Sequence, residues 1–342
     1  VLKNFFVAAF VITLAACKAT PYKTPLAEQS LDGPIDVYVM ISQQELEADF
    51  PVQDSSAVGA QFGLVGALVS IAIDSAANSA NTEAAQDPLT IVRNELNSFD
   101  FDSLLFETIK TRIQLANQKL GNAYLVHSHA ELGEKTEIGN NYMVVAADYR
   151  LLMDFRTVKV SANAYIKERL ASDKKAENSE LYRNLFTVLS EQLPVAEKSE
   201  EYIAKQIANA EAEFDALPEA VKSERVYKAK LQRKIKKARL PVPDFEEARL
   251  ITANAWATTY QGQLKGNLIA SIDSLVDLIN LDVQDTTDPS TYEPPKSKAL
   301  TAVHSQVVQE LPERKILRIT HGMLAGKMCS IPNSTTEKRT CL

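Results

Sequence analysis

The sequence predicts an α/β fold of the α+β kind, with an antiparallel or mixed sheet, packed helices, a long helical insertion and a C-terminal β-hairpin. Three observations predict it. β-Branched apolar runs at 35–42 and across 123–168 have the composition of strands. Apolar stripes at three- and four-residue spacing run through 178–282. Two short apolar segments, 315–319 and 323–331, flank His321-Gly322, a pair suited to a hairpin turn.

Taken in order, IDVYVMIS at 35–42 reads as the first strand. From 55 to 73 no residue is charged, and Gly59, Gly63 and Ala67 recur every four positions. That spacing suits a helix approached closely by another, either buried against the sheet or placed in a membrane. Pro88 can open a helix whose face is Leu89, Val92 and Leu96. A second helix begins near Asp102, holds Leu105, Ile109, Ile113, Ala116 and Leu120 on one side, and ends at Gly121. Residues 123–132, 142–154 and 155–168 read as neighbouring antiparallel strands. From 178 to 282 the expectation is helix throughout, broken at Pro194, Pro218, Pro241 and Pro243. Its last member carries the stripe Trp256, Tyr260, Leu264, Leu268, Ile272, Leu275 and Ile279. A proline-rich loop at 285–297 returns the chain to the hairpin. The expected organisation is therefore 1–16 as a signal peptide, 17–34 as a flexible tether, 35–170 as an α/β domain, 171–284 as a helical lobe or insertion, and 285–342 as loop and hairpin completing the α/β domain.

The amino terminus fixes the expected location. Lys3 gives a positive start, 5–14 is apolar, and Ala15-Ala16 are the small residues a signal cleavage site requires. The run Leu14-Ala15-Ala16-Cys17 resembles the lipobox of bacterial lipoproteins, in which a diacylglycerol is joined to the cysteine sulfur before cleavage just upstream. The resemblance implies that Cys17 is lipidated. With Lys18 following, it implies sorting to the outer membrane, facing the periplasm. Stable anchoring of this kind needs two or more acyl chains.

With Cys17 spent on lipid, Cys329 and Cys341 remain as an even pair able to close a small loop, worth ~3 kcal/mol in the chain-entropy model. Two thiols or a metal pair are the alternatives.

Composition limits the function. Of 342 residues 45% are hydrophobic and 24% charged, a globular balance, and the net charge of -7 argues against nucleic acid as a partner. Hydrolase, zinc-protease, phosphate-loop, dinucleotide and CxxC signatures are absent from the sequence, and no cofactor is implied.

Two constellations remain. His127, His129 and Glu131 alternate in an expected strand, so their side chains would share one face and could hold zinc. Lys222, Arg225, Lys228, Lys230, Arg233, Lys234, Lys236, Lys237 and Arg239 crowd one helix, with Val226, Leu231 and Ile235 interleaved. That helix can face phospholipid, lipopolysaccharide phosphate or an acidic partner, or its charge can be neutralised within the fold by nearby carboxylates. The expectation is a non-catalytic, lipid-anchored envelope protein that binds or scaffolds another envelope component, with the membrane and an unknown envelope protein or itself as partners. One rival is a self-assembling lipoprotein that uses 55–73 in a pore or secretion complex. Another is a metal-dependent hydrolase using the strand histidines.

Overall fold

Strict alternation of apolar and polar residues organises the middle of the sheet. The computed structural model describes residues 21–27, 33–49, 88–115, 118–136, 141–168, 180–292 and 304–335. Cys17, the uncharged segment 55–73 and Cys341 lie outside them. In β5 (Val158–Lys167) the buried residues Val158, Val160, Ala162, Ala164 and Ile166 alternate with half-buried Lys159, Ser161, Asn163, Tyr165 and Lys167. A period of two puts the first set on one face and the second on the other. β4 (Asn141–Leu151) and β6 (Glu180–Leu189) pair antiparallel on either side of it.

The sheet is mixed. β1 (Ile35–Met40) lies parallel to β4, and β3 (Leu120–Val126) lies parallel to β1 at one edge. The two-residue β2 (Glu47–Ala48) pairs parallel with the end of β4, continuing the row that β1 begins. Beyond β6 come β9 (Met328–Pro332), parallel to it, then β8 (Arg314–Ile319) and β7 (Ser305–Glu310), antiparallel, giving the order β3-β1-β4-β5-β6-β9-β8-β7. This is the α/β class expected from sequence.

One face carries the main core. α1 (Phe101–Arg112) buries Phe101, Leu105 and Ile109, and its N-cap Asp100 accepts a hydrogen bond from the Ser103 amide. The 21-residue helix α7 (Gln263–Val283) buries Leu264, Leu268, Ile272, Leu275 and Ile279 against the same face. Arg112 of α1 forks onto Asp273 and Asp277 of α7, tying the two helices together. On the opposite face α2 (His129–Thr136) places Leu132 in a smaller cluster with Tyr38, Met40, Val126, Tyr142 and Val144.

Several expectations are corrected. The run expected to be helix from 178 opens with β6, a central strand, because Tyr182, Asn184, Phe186 and Val188 alternate into the core. The helical insertion starts only at α3 (Glu200–Asp215) and continues through α4 (Glu219–Lys222), α5 (Arg225–Ala238) and α6 (Phe245–Ala257). α7 is no part of a separate lobe. The stripe from Trp256 to Ile279 breaks at Gly262, whose φ of 80° is a left-handed turn that side chains resist. Leu120 and Gly121 begin β3 instead of ending a helix. A side chain at Gly121 would meet Asp36, whose carboxylate accepts the Asn122 amide at 2.7 Å. Residues 127–132 leave the strand and turn into α2, and β7 is a strand with no counterpart among the expected elements. The final hairpin closes through 320–327, a longer turn than His321-Gly322. Among the described residues no helix is long and apolar enough to cross a membrane.

The proline-containing stretch expected to be a flexible tether is docked in part. Residues 22–24 take the place beside β6 that β9 does not reach: Thr24 exchanges both backbone hydrogen bonds with Arg183, at 2.9 and 3.0 Å, and the Tyr22 amide donates to the Met323 carbonyl at 2.8 Å.

Candidate functional site

Three places concentrate polar chemistry: a buried charge cluster, the bend after β3, and a helical hairpin that stands off the sheet.

The buried cluster closes over Lys23. Its ammonium donates to Asp282 at 2.8 Å and to Asp285 at 2.9 Å, and the side chains of Lys23 and Asp282 are both 0% exposed. The second carboxylate oxygen of Asp282 accepts from the Tyr182 hydroxyl and from Asn184 Nδ2, each at 2.8 Å. Burial and the adjacent Asp282 carboxylate drive the Tyr182 phenol well above its ordinary range, so it stays a donor. Arg318 meets Asp285 at 2.7 Å. Burial raises the Asp285 acid, but hydrogen bonds from Thr287 and Lys23 and the charges of Lys23 and Arg318 outweigh it and leave the acid below its usual range. Gly326, at φ 98°, lets Lys23 in, since a Cβ there would lie 2.4 Å from the Lys23 Cβ. Each charge in this cluster has an opposite partner, although Arg318 Nε and the neighbouring Tyr292 hydroxyl are buried with no hydrogen-bond partner among the described residues. Sequence reasoning missed it, because Lys23, Tyr182, Asp282 and Arg318 meet only through the tertiary fold.

The bend after β3 corrects the expected zinc trio. β3 ends at Val126 and His129 opens α2, so His127, His129 and Glu131 do not share a strand face. Glu131 instead accepts the His127 amide at 2.9 Å and the Lys135 ammonium at 2.8 Å, while its own amide donates to Ser128 Oγ at 3.1 Å. These bonds hold the Glu131 carboxyl below its usual range, Lys135 contributing most. The exchange resembles a capping box shifted by one residue, and Ser128-x-x-Glu131 is its signal in the sequence. His127 lies over the Ile41 carbonyl and 3.6 Å from Asp102. Among the described residues no cluster of His, Cys, Asp and Glu is arranged to hold a metal ion.

The basic residues singled out in the sequence lie on the hairpin of α3 and α5, apart from Lys222 in α4 and Arg239 just past α5. Phe214, Leu217, Tyr227 and Leu231 line a shallow cleft between the helices. Its root is pinned by Lys198, whose buried side chain pairs with Glu247 at 2.8 Å and donates to the Lys237 carbonyl. α6 begins beside this root with a capping box between Asp244 and Glu247. The charges are segregated. α3, EEYIAKQIANAEAEFD, has five acids and one lysine, whereas α5, RVYKAKLQRKIKKA, has seven bases and no acid. Lys234 meets Glu213 and Lys237 meets Asp244. Lys228, Lys230, Arg233 and Lys236 are exposed and have no ion-pair partner among the described residues. At 14 residues α5 presents a cationic rod about 21 Å long.

The far face of the central sheet also holds a groove of about 440 Å³, lined in part by Asp148, Lys159, Ser161, Asn163 and Thr187. Lys159 is satisfied by Asp49 at 2.6 Å, whereas Asn163 Oδ1 is buried with no donor among the described residues.

Cys329 is buried on β9 with Leu189, Leu317 and Ile331, and its expected partner Cys341 lies outside the described residues. Comparisons of the chain with protein-family models, with curated proteins and with solved structures gave no match.

Proposed function

We propose that this chain is a non-catalytic lipoprotein of the bacterial outer membrane, held by Cys17, that binds an anionic envelope component through helix α5. The observation that carries the reading is the charge of that helix: seven bases and no acid, of which only Lys234 and Lys237 form ion pairs among the described residues. In a chain of net charge -7, five bases without ion pairs on one helix repel one another, a cost to the folded state that binding an anion would offset. The hairpin is also a suitable carrier, because its long helices pack on each other and meet the rest of the molecule chiefly at the Lys198 root.

The test uses Lys228→Gln, Lys230→Gln, Arg233→Gln and Lys236→Gln together. None of the four closes an ion pair within the described fold, so the variant should keep its stability. Binding of the unlipidated chain (Cys17→Ser) to phosphatidylglycerol vesicles, and its in-cell cross-linking to envelope proteins, separate a lipid target from a protein target. At ~1 kcal/mol for each charge near an anionic surface, the four substitutions should weaken the interaction by about two to three powers of ten, and added salt should weaken it as well. Unchanged sedimentation together with an unchanged cross-linking pattern would sink the assignment.

A further inference from the structure

We infer that the turn joining β8 to β9, with Met323 at its tip, lies against the bilayer that receives the lipid. The inference rests on the reading of Cys17 as the lipidated residue. Between Cys17 and the docked segment that begins at Pro21 stand Lys18, Ala19 and Thr20. Four residue steps span at most about 14 Å even when fully extended.

What makes that length decisive is how firmly the segment is held. The Tyr22 amide donates to the Met323 carbonyl, Thr24 pairs with Arg183, and the Arg183 guanidinium lies 4.3 Å over the Tyr22 ring while its Nε donates to the Tyr22 carbonyl. One position further on, Lys23 is locked between Asp282 and Asp285, and Leu26 is buried in the main core. The leash therefore cannot be lengthened past Tyr22 by peeling without breaking a buried ion pair. A lipid on Cys17 puts the surface around Tyr22 and residues 320–324 within one short leash of the headgroups.

That surface suits the position. Met323 is 68% exposed, an unusual state for a large apolar side chain, and half-buried Leu324 is beside it. From Arg314 to Thr335 the chain has no Asp or Glu, in a sequence holding 44 of them, so no carboxylate of this segment would be pressed against anionic lipid. The flexible thioether side chain of Met323 is well adapted to the disordered boundary of acyl chains.

The experiment introduces Met323→Trp in the full-length lipidated protein and measures quenching by phospholipids brominated in the acyl chains. Trp256 is the single native tryptophan and is fully buried, so its emission is a constant background. Ile269→Trp, at an exposed position of α7 thirteen residues, or about 20 Å, from Asp282, serves as the distant control. Intact mass first establishes whether residue 17 carries lipid. In lipidated protein, Met323→Trp emission should fall to about half, as for an aromatic ring at the interface, and Ile269→Trp should change little. Ten Gly/Ser residues inserted after Thr20 should abolish the quenching while the lipid mass remains. A lipidated Met323→Trp protein whose added tryptophan is not quenched, or whose quenching survives the insertion, overturns this docking alone. A chain with no lipid on residue 17 overturns the anchoring and the docking together.

Discussion

Lys23 shows how much one side chain can decide. It brings an ammonium into a site with no access to water, where the desolvation cost is several kcal/mol and is offset only by good geometry to Asp282 and Asp285. Asp282 also relies on Tyr182 and Asn184 as donors. Lys23→Met keeps the volume of the stem but strands a buried carboxylate, so we expect a loss of about 3–5 kcal/mol by urea denaturation. A loss under about 1 kcal/mol would mean that the cluster is not held as described. The same cluster sets an acid limit. Asp285 has a folded-state pKa below its ordinary value, so its contribution is complete above the usual carboxylate range and is lost as pH falls through the depressed value. Stability of the wild type should decline below about pH 4, and Asp285→Asn, less stable at neutral pH, should show a shallower acid decline. Parallel acid curves for the two proteins would remove Asp285 from that role.

At the scale of elements, the contrast is between helices that serve the sheet and helices that do not. α6 clamps the turn between β4 and β5. Trp256 Nε1 donates to the Phe155 carbonyl at 2.7 Å, and the Arg249 guanidinium lies over the Phe155 ring at 4.6 Å. Phe155 has a φ of 61°, a conformation that costs a side-chain-bearing residue on the order of 1 kcal/mol and persists because the clamp over-determines it. The α3–α5 hairpin has no such role. Replacing 199–240 by a short Gly/Ser connection should cost about 1 kcal/mol or less, since the residues removed pack mainly on each other. It should also eliminate anion binding by the unlipidated chain. A collapse of thermal stability on excision would show that the hairpin supports the sheet.

For the whole molecule, the segment that begins at Pro21 and the core are one unit. Residues 22–24 act as a short strand completing the row beside β6, and Leu26 closes part of the main core, so a displacement of this segment is transmitted to the sheet. That coupling is invisible in the sequence because Pro21 and Pro25 among polar residues have the composition of a tether. Lys23 looks like any solvated lysine until Asp282, some 260 positions away, is brought to it. The same limit explains β6: a run of ten residues with mixed polarity next to a helical region reads as helix until its neighbours supply the ladder. It also explains the histidines, where an alternation that suits a strand is cut short by a cap whose signal, Ser128 with Glu131, is equally present.

By itself the sequence determined the α/β class, the positions of β1, β4 and β5, the α7 stripe and the one-sided charge of α5, because all of these are periodicities or compositions within a single segment. Only the tertiary structure decided that residues 22–24 of the expected tether dock beside β6, that the zinc trio is a helix cap, and that α7 belongs to the core while α3 and α5 stand apart. The physical reason is common to all three. Burial and ion pairing are properties of contacts between distant segments, and no local pattern records which distant segment will arrive.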